Sequence, residues 1–275
     1  MLIFLGPAGI PISAKKAGTT DGIRKVMELG LGAMEVEFTH GIQMRNELAK
    51  EVGRVSKETG VKLSVHAPYF VNLASAEPQK IKASKVRILQ SCERATYMGA
   101  SPVVFHPGFY GNYTPQETYE IIKQGVLDII DRVKEKGWKT KIALETTGKP
   151  SQFGSLEEIT LLLEEIGTKN CTLCLDFAHL WARHQGKVDY NAVMEKVKGL
   201  KLTQLHTHFS QIQYTQKGER NHLTFQDTVK NPPVEDVCKA ILASKQDITI
   251  ISESPVLEVD SLKMKQIFKK LGHRF

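Results

Sequence analysis

Six short apolar runs in this sequence end on a side chain able to bind a cation or move a proton. Leu63-Ser64-Val65 stops at His66 and Val103-Val104-Phe105 at His106. Ile142-Ala143-Leu144 stops at Glu145 and Leu173-Cys174-Leu175 at Asp176. Leu205-His206-Thr207 stops at His208 and Ile250-Ile251-Ser252 at Glu253. Imidazole nitrogen and carboxylate oxygen are ligands of borderline and hard divalent cations. One carboxylate can bridge two ions, which makes Glu145 or Asp176 a candidate bridge. Singly, each residue reads as a cap, a hydrogen-bonded histidine or a loop carboxylate. Their recurrence at the same end of six runs points instead to a shared metal site. Gathering three carboxylates in a buried place without cations would be costly.

Further polar groups fall just beyond these runs. Asp176-Phe177-Ala178-His179 spaces an acid and a histidine by three residues, which can aim them at neighbouring ions. After His208 comes the basic stretch Gln216-Lys217-Gly218-Glu219-Arg220-Asn221-His222, readable as a solvated loop or as a metal-bearing, phosphate-contacting one. Cys171 and Cys174 have redox spacing, but strand residues three apart face opposite sides, so both read as structural thiols. His40, His184 and His273 read as surface or loop histidines, and Lys263 to Arg274 as the solvated face of the last helix.

Residues spread from 66 to 253 can meet only if the segments carrying them converge. Strands are expected at 2–6, 33–38, 62–66, 102–106, 140–145, 171–176, 201–208 and 247–253. Helices are expected at 19–30, 43–59, 78–98, 115–136, 155–167, 190–198, 233–244 and 260–271. Such alternation gives a parallel sheet wound by crossovers. Thr114-Pro115 with Glu117, and Ser155 with Glu158, are helix-start signatures. An open doubly wound sheet shares the alternation, but Gly6-Pro7-Ala8-Gly9 lacks the glycine spacing of its phosphate loop. The expected architecture is α/β: a single (β/α)8 TIM barrel domain over residues 1–275. Its strands bring their carboxyl ends to one face, where active sites of this architecture are built.

A length of 275 residues suits one such barrel. Hydrophobic residues at 41% and charged residues at 24% exclude disordered and fibrous classes. The net charge of +7 favours an anionic partner. Four cysteines, Cys92, Cys171, Cys174 and Cys238, are too few for a disulfide framework, so a reduced, cytoplasmic compartment is expected. No run approaches the roughly 18 apolar residues of a membrane span. Met1 to Leu5 reads as a first strand, not a signal peptide, since no cationic segment precedes it and Gly6-Pro7 breaks it.

Five segments stand in order along the chain: His66-Ala67-Pro68-Tyr69-Phe70-Val71-Asn72-Leu73, Phe105-His106-Pro107-Gly108, Ala143-Leu144-Glu145-Thr146-Thr147-Gly148, Leu175-Asp176-Phe177-Ala178-His179 and Ser252-Glu253. Together they resemble the endonuclease IV family, abasic-site DNA repair nucleases within the xylose-isomerase-like barrels. The resemblance runs from about the third strand to the eighth, and the order of the motifs is what makes it specific. It implies a zinc-dependent phosphodiesterase with two or three Zn2+ ions, Mn2+ being the alternative metal. Carried over by position, one ion falls to His66, His106 and Glu145. A second shares Glu145 and adds Asp176, His208 and Glu253, and a third takes His179 with a pair from 219–222. The family pair is an Asp and a His separated by one residue. Here Glu219 and Asn221 stand at that spacing and His222 comes one later; Glu219 and His222 are expected, because an amide is a poor zinc ligand. His206 is the alternative to His208 at the seventh strand. The loop Glu37-Phe38-Thr39-His40-Gly41 lacks the Gln/Arg-rich DNA-penetrating sequence of the bacterial enzymes. Tyr69-Phe70 does match the aromatic-apolar pair that the family wedges into the duplex.

The implied reaction is cleavage of the DNA phosphodiester bond 5′ to an abasic site in base excision repair, by a metal-bridged hydroxide. Glu145 would bridge and orient as the catalytic carboxylate. Tyr69 and Phe70 would fill the gap left by the lost base, with Lys149, Lys217 and Arg220 on the phosphates of double-stranded DNA. An abasic nucleotide costs less to turn out than a paired one. A monomer suits a nuclease that lays its whole mouth on DNA, and no membrane partner is expected. One rival is a single-metal sugar isomerase or epimerase of the same barrel class, for which Glu145, Asp176, His208 and Glu253 suffice. His66, His106 and His179 are the extra ligands that separate the two. The other rival is a non-catalytic nucleic-acid-binding homologue.

Overall fold

The computed structural model describes residues 1–14 and 18–275. Strands along the chain are β1 (Ile3–Pro7), β2 (Ala33–Glu37), β3 (Lys62–His66), β4 (Val103–Phe105), β5 (Gly108–Phe109) and β6 (Ile142–Glu145). They continue with β7 (Gln152–Phe153), β8 (Cys171–Asp176), β9 (Leu205–Phe209), β10 (Gln211–Thr215), β11 (Gly218–Leu223) and β12 (Ile248–Ser252). The helices are α1 (Thr19–Glu28), α2 (Asn46–Thr59), α3 (Pro78–Met98), α4 (Pro115–Glu135) and α5 (Leu156–Ile166). After them come α6 (Phe177–Arg183), α7 (Tyr190–Lys198), α8 (Val234–Ser244) and α9 (Glu258–Lys270). Both expected capping boxes form: Glu117 N–H donates to Thr114 Oγ1 at 3.2 Å and Glu158 N–H to Ser155 Oγ at 3.2 Å, with each glutamate returning to its cap.

Eight strands form one parallel sheet in the order β1-β12-β9-β8-β6-β4-β3-β2. The β1–β2 seam is bridged by Gly32 N–H to Leu5 O and Gly9 N–H to Glu35 O, both at 3.0 Å, so the sheet curls into the (β/α)8 barrel. A Cβ at Gly6 would stand 1.6 Å from Ala33 O, so the strands can approach this closely only at a glycine. Among the described residues no helix is long and apolar enough to cross a membrane.

Alternation along the strands divides two environments. Outward residues such as Leu63, Val65, Ile142, Leu144, Leu173 and Leu175 join the helices in one large apolar cluster. The inward set is unusually polar. Its apolar members include a cluster of Val104, Ala143 and Cys174, with Ile251 and Phe4, and beside them stand Glu35, Ser64, Thr172, His206 and Thr249. Cys171 lies in the outer layer and Cys174 inside, both buried and free, as their spacing on a strand requires.

Candidate metal centre

Parallel register carries the strand-ending residues to one rim. Glu37 pairs with His66, Glu145 with Cys174, and Asp176 with His208. Glu145 stands at the middle, fully buried. Its Oε2 lies 3.1 Å from His66 Nε2 and 3.0 Å from His106 Nε2, while Oε1 lies 3.0 Å from His208 Nδ1 and 3.4 Å from His179 Nδ1. Glu253 Oε1 approaches His208 Nδ1 at 3.3 Å. Two groups of donor atoms, each within 4.8 Å, result: His66, His106 and Glu145; and Glu145, Asp176, His208 and Glu253. These are the two sets that share Glu145 in the carried-over assignment.

Of four imidazoles, three have one nitrogen hydrogen-bonded outside the cluster, and the fourth, His208, has one against the Glu35 carboxylate. His66 Nδ1 donates to Ala67 O at 2.7 Å and His179 Nδ1 to Thr146 O at 2.9 Å. His222 Nδ1 lies 2.6 Å from Ser210 Oγ, and His208 Nε2 lies 2.8 Å from Glu35 Oε1, off the N–H direction. Anchoring of this kind fixes ring orientation and tautomer in metal sites.

The third group forms where a helix and a hairpin meet. Asp176 caps α6, its Oδ1 accepting His179 N–H at 2.6 Å, so His179 follows one turn later beside the acid. The stretch 216–222, read as a loop, belongs largely to the antiparallel hairpin β10–β11. Tyr214 pairs with Glu219 and Gln213 with Asn221, which leaves Arg220 as the extra residue of a bulge. The bulge turns Glu219 and His222 to one face and Asn221 to the other, where its amide meets Gln213. Glu219 Oε2 then reaches 2.9 Å from His179 Nε2. The hairpin can sit this low because the β6 loop presents Gly148, where a Cβ would come 2.2 Å from Glu219 Oε2. Arg183 of α6 holds that loop through Lys149 O at 2.8 Å and Gln152 O at 3.0 Å.

The tight third group is His179, His222 and Glu253, so Glu253 faces two groups, its Oε2 lying 3.9 Å from His222 Nε2. Glu219 sits at its edge on His179. His206, the alternative to His208, lies one layer deeper, with Nε2 at 3.0 Å from Glu35 Oε2. Glu35 and Glu37 were absent from the residues singled out above. The signal was there in Glu35-Val36-Glu37: two acids with strand spacing share a face.

Charge crowding shows in the proton affinities. Burial opposes ionisation of Glu145, but the charges of His106 and His208 and hydrogen bonds from His106 and His179 hold it well below the carboxylate range. Burial would depress His66, yet its bond to Glu145 and the charges of Glu37, Glu145 and Glu35 push it up to about 10. Glu253 is driven well above the usual range by burial and by the charges of Glu145 and Asp176, against His208. Burial similarly lifts Glu37 to about 7. Asp176 Oδ2 is buried and, among the described residues, has no hydrogen-bond partner. A nitrogen- and oxygen-rich set with an orphaned carboxylate oxygen and like charges in contact fits divalent cations.

Around this rim stand the residues expected to meet DNA. Tyr69 and Phe70 follow β3 and are 56% and 62% exposed, with the Tyr69 ring 5.4 Å from that of His66. Lys217 and Arg220 are exposed on the hairpin, and Lys149 Nζ lies 3.6 Å from Glu219 Oε1. All five stand on the carboxyl-end side of the barrel.

Fold and site together define a (β/α)8 barrel whose strand ends converge on a metal-ligand cluster. A family model described as the xylose isomerase-like TIM barrel matches residues 23–268. The chain belongs to that family. An uncharacterized protein of Methanocaldococcus jannaschii is 35% identical, over 98% of both chains. The probable endonuclease 4 of Metamycoplasma arthritidis is 34% identical over 53% of this chain and 50% of its own. Among solved structures, endonuclease IV from Thermus thermophilus superposes with a TM-score of 0.71 at 18% identity, covering 98% of this chain and 97% of that one. A D-psicose 3-epimerase superposes at 0.65 with 16% identity, covering 96% of both. Likeness at these identities shows the fold.

Proposed function

We propose that this protein is a metal-dependent endonuclease that cleaves the DNA phosphodiester bond 5′ to abasic sites, with two or three zinc ions. The observation that carries this reading is the number of donor groups that meet at Glu145. One group suffices for a single-ion epimerase, and His66, His106, His179 and His222 lie beyond it. The endonuclease 4 relative supports the same direction, over half of its length. Divalent cations at such a site supply Lewis acidity and a nucleophile at neutral pH.

The chain's own residues do the rest. Glu145, with His66, His106 and His208 about its carboxylate, would be shared between the ions that these groups, Asp176 and Glu253 would hold. Glu35 would hold His208 in the orientation that turns Nδ1 to the cluster. Tyr69 and Phe70 present apolar surface to the solvent, a suitable filling for the gap left by a lost base. Tyr69 is 56% exposed as a whole, but its ring leans on His66; desolvation on that side, then the charges of Glu253, Glu37 and Glu145, raise its hydroxyl, so it stays a phenol and a donor. Lys217 and Arg220 project from the hairpin toward a duplex laid over the mouth.

The test is incision of a duplex containing a tetrahydrofuran abasic analogue, with and without chelator. Chelator-sensitive cutting 5′ to the lesion, lost by roughly 10²–10³-fold or more in Glu145→Gln, is the expected result. Metal analysis separates the rivals. A single ion per chain with ketose epimerisation and no incision would support the epimerase, to which the self-contained group Glu145, Asp176, His208 and Glu253 lends itself. Binding of damaged duplex without incision by metal-replete protein would support the non-catalytic homologue.

A further inference from the structure

A cavity of ≈ 440 Å³ opens at the other end of the barrel, where the strands begin. Such barrels are normally filled by layers of branched apolar side chains. Here the lower layers carry Ser64, Thr172 and Thr249 beside Phe4, and the three small side chains leave room for the cavity, with His206 above them. Lys62, Lys141, Lys169 and Lys201 surround the opening, and no carboxylate lines it. Among the described residues none of these four ammonium groups is within 4.0 Å of a carboxylate. Lys62 has partial relief from the Asp247 charge and from the Phe4 ring, 3.9 Å from its Nζ; gathered like charges of this kind favour an anion at the opening.

A second, independent feature points the same way. Ser64 is only 3% exposed, yet its Oγ has no hydrogen-bond partner among the described residues. Its register beside Glu35 turns it into the bore, where it lines the cavity. A hydroxyl left unpaired in a buried place is costly unless a ligand or water meets it. Lys62 Nζ uses one donor on Gln204 Oε1 at 2.8 Å and Lys141 Nζ one on Thr168 O at 3.1 Å, which leaves further N–H groups on each.

We propose that the amino-end mouth of the barrel is a second binding site, for a small phosphate-bearing molecule such as a sugar phosphate or mononucleotide. The phosphate sits among the four lysines and the remainder enters the bore, where Ser64 and Thr172 offer hydroxyl groups. The cavity lies within the usual size range of small-molecule sites. The bore itself has room for a small molecule and not for a nucleic acid duplex. The site is distinct from the metal cluster, which occupies the opposite rim and meets the bore through His206 and Glu35.

Calorimetric titration of the metal-loaded protein tests it, with inorganic phosphate, ribose 5-phosphate and adenosine 5′-monophosphate as probes and ribose as the uncharged control. Saturable binding of at least one phosphate ester is expected at or below about 1 mM. The ester that binds more tightly identifies the source. Lys169→Glu with Lys201→Glu, two exposed residues, should weaken binding about tenfold or more, and Glu145→Gln should leave it unchanged. Ser64→Ala should also weaken binding without lowering the melting temperature of the unliganded protein, because it removes an unpaired hydroxyl. Absence of saturable binding by every probe, affinity indifferent to the lysine reversals, or affinity lost with Glu145→Gln would each overturn the proposal.

Discussion

Replacing Glu35 by glutamine tests whether the metal centre depends on a group that never touches a metal. Glu35 is fully buried and spans two imidazoles, with Oε1 at 2.8 Å from His208 Nε2 and Oε2 at 3.0 Å from His206 Nε2. Burial alone would protonate it, but the His208 charge and the contacts of both imidazoles hold it well below the carboxylate range. As an anion it favours a proton on His208 Nε2, which leaves the Nδ1 lone pair for the cluster. Glutamine keeps the shape and removes the charge, and its amide can turn NH2 rather than oxygen toward His208. A charge-assisted contact exceeds a neutral one by about 1–1.5 kcal/mol, roughly tenfold in metal affinity. Outer carboxylates at histidine ligands show losses of about 10–100-fold, so Glu35→Ala should reach the upper end. The assay is metal titration against a competing chelator, with thermal unfolding of the metal-free variant as the control for folding. Metal affinity within threefold of the parent, in a variant that melts normally, would refute the orienting role.

Three further outcomes follow from the same geometry. Tyr69→Ala should cost about 1–3 kcal/mol in affinity for damaged duplex, and hardly alter stability because the ring is 56% exposed; equal discrimination between damaged and intact duplex in a filter or anisotropy assay would remove it from recognition. If Lys149, Lys217 and Arg220 each neutralise a phosphate, log Kd against log salt should have a slope near 3 in magnitude, falling by about one in Lys217→Ala; a flat salt dependence would contradict the phosphate contacts. Deleting Arg220 should convert the bulged strand into a regular one while keeping Glu219 and His222 on one face, so metal stoichiometry should persist although duplex affinity falls. Loss of an ion on that deletion would show that the bulge itself shapes the third group.

Much of this arrangement was readable before any coordinates. β3 and β8 lie where expected, because an apolar run that ends on a polar ligand marks both the strand and its terminus. The strand expected at 201–208 starts only at Leu205; Leu202 is apolar because it packs against the core from a loop, not because it is paired. Helix α6 went unnoticed because it starts directly on the last strand residue, with no loop to announce it, although the three-residue step from Asp176 to His179 was its trace. The hairpin β10–β11 was hidden by its bulge, since an extra residue breaks the two-residue period by which a strand is recognised. Glu35 was missed for a different reason. It lies two residues inside β2, and attention to strand ends passes over groups that act through another side chain.

The distribution of apolar surface explains how one chain tolerates so polar an interior. Outward strand residues and helices share a single continuous cluster, from Ile3 and Leu5 through Leu144 and Leu173 to Phe268. The inward apolar cluster is Val104, Ala143 and Cys174. Stability therefore rests on the layer between strands and helices, where burial of apolar area is worth about 25 cal/mol per Å². The bore is released from that duty. Its upper end can hold carboxylates among imidazoles in a set that suits cations, and its lower end can leave Ser64 unpaired. This division makes a separable expectation: inward substitutions such as Glu35→Gln and Ser64→Ala should change ligand affinity far more than melting temperature. Truncating Leu144 or Leu173 should do the reverse, at about 2–5 kcal/mol each. A bore variant that unfolds as readily as an outer-layer truncation would show that the interior polar network supports the barrel itself.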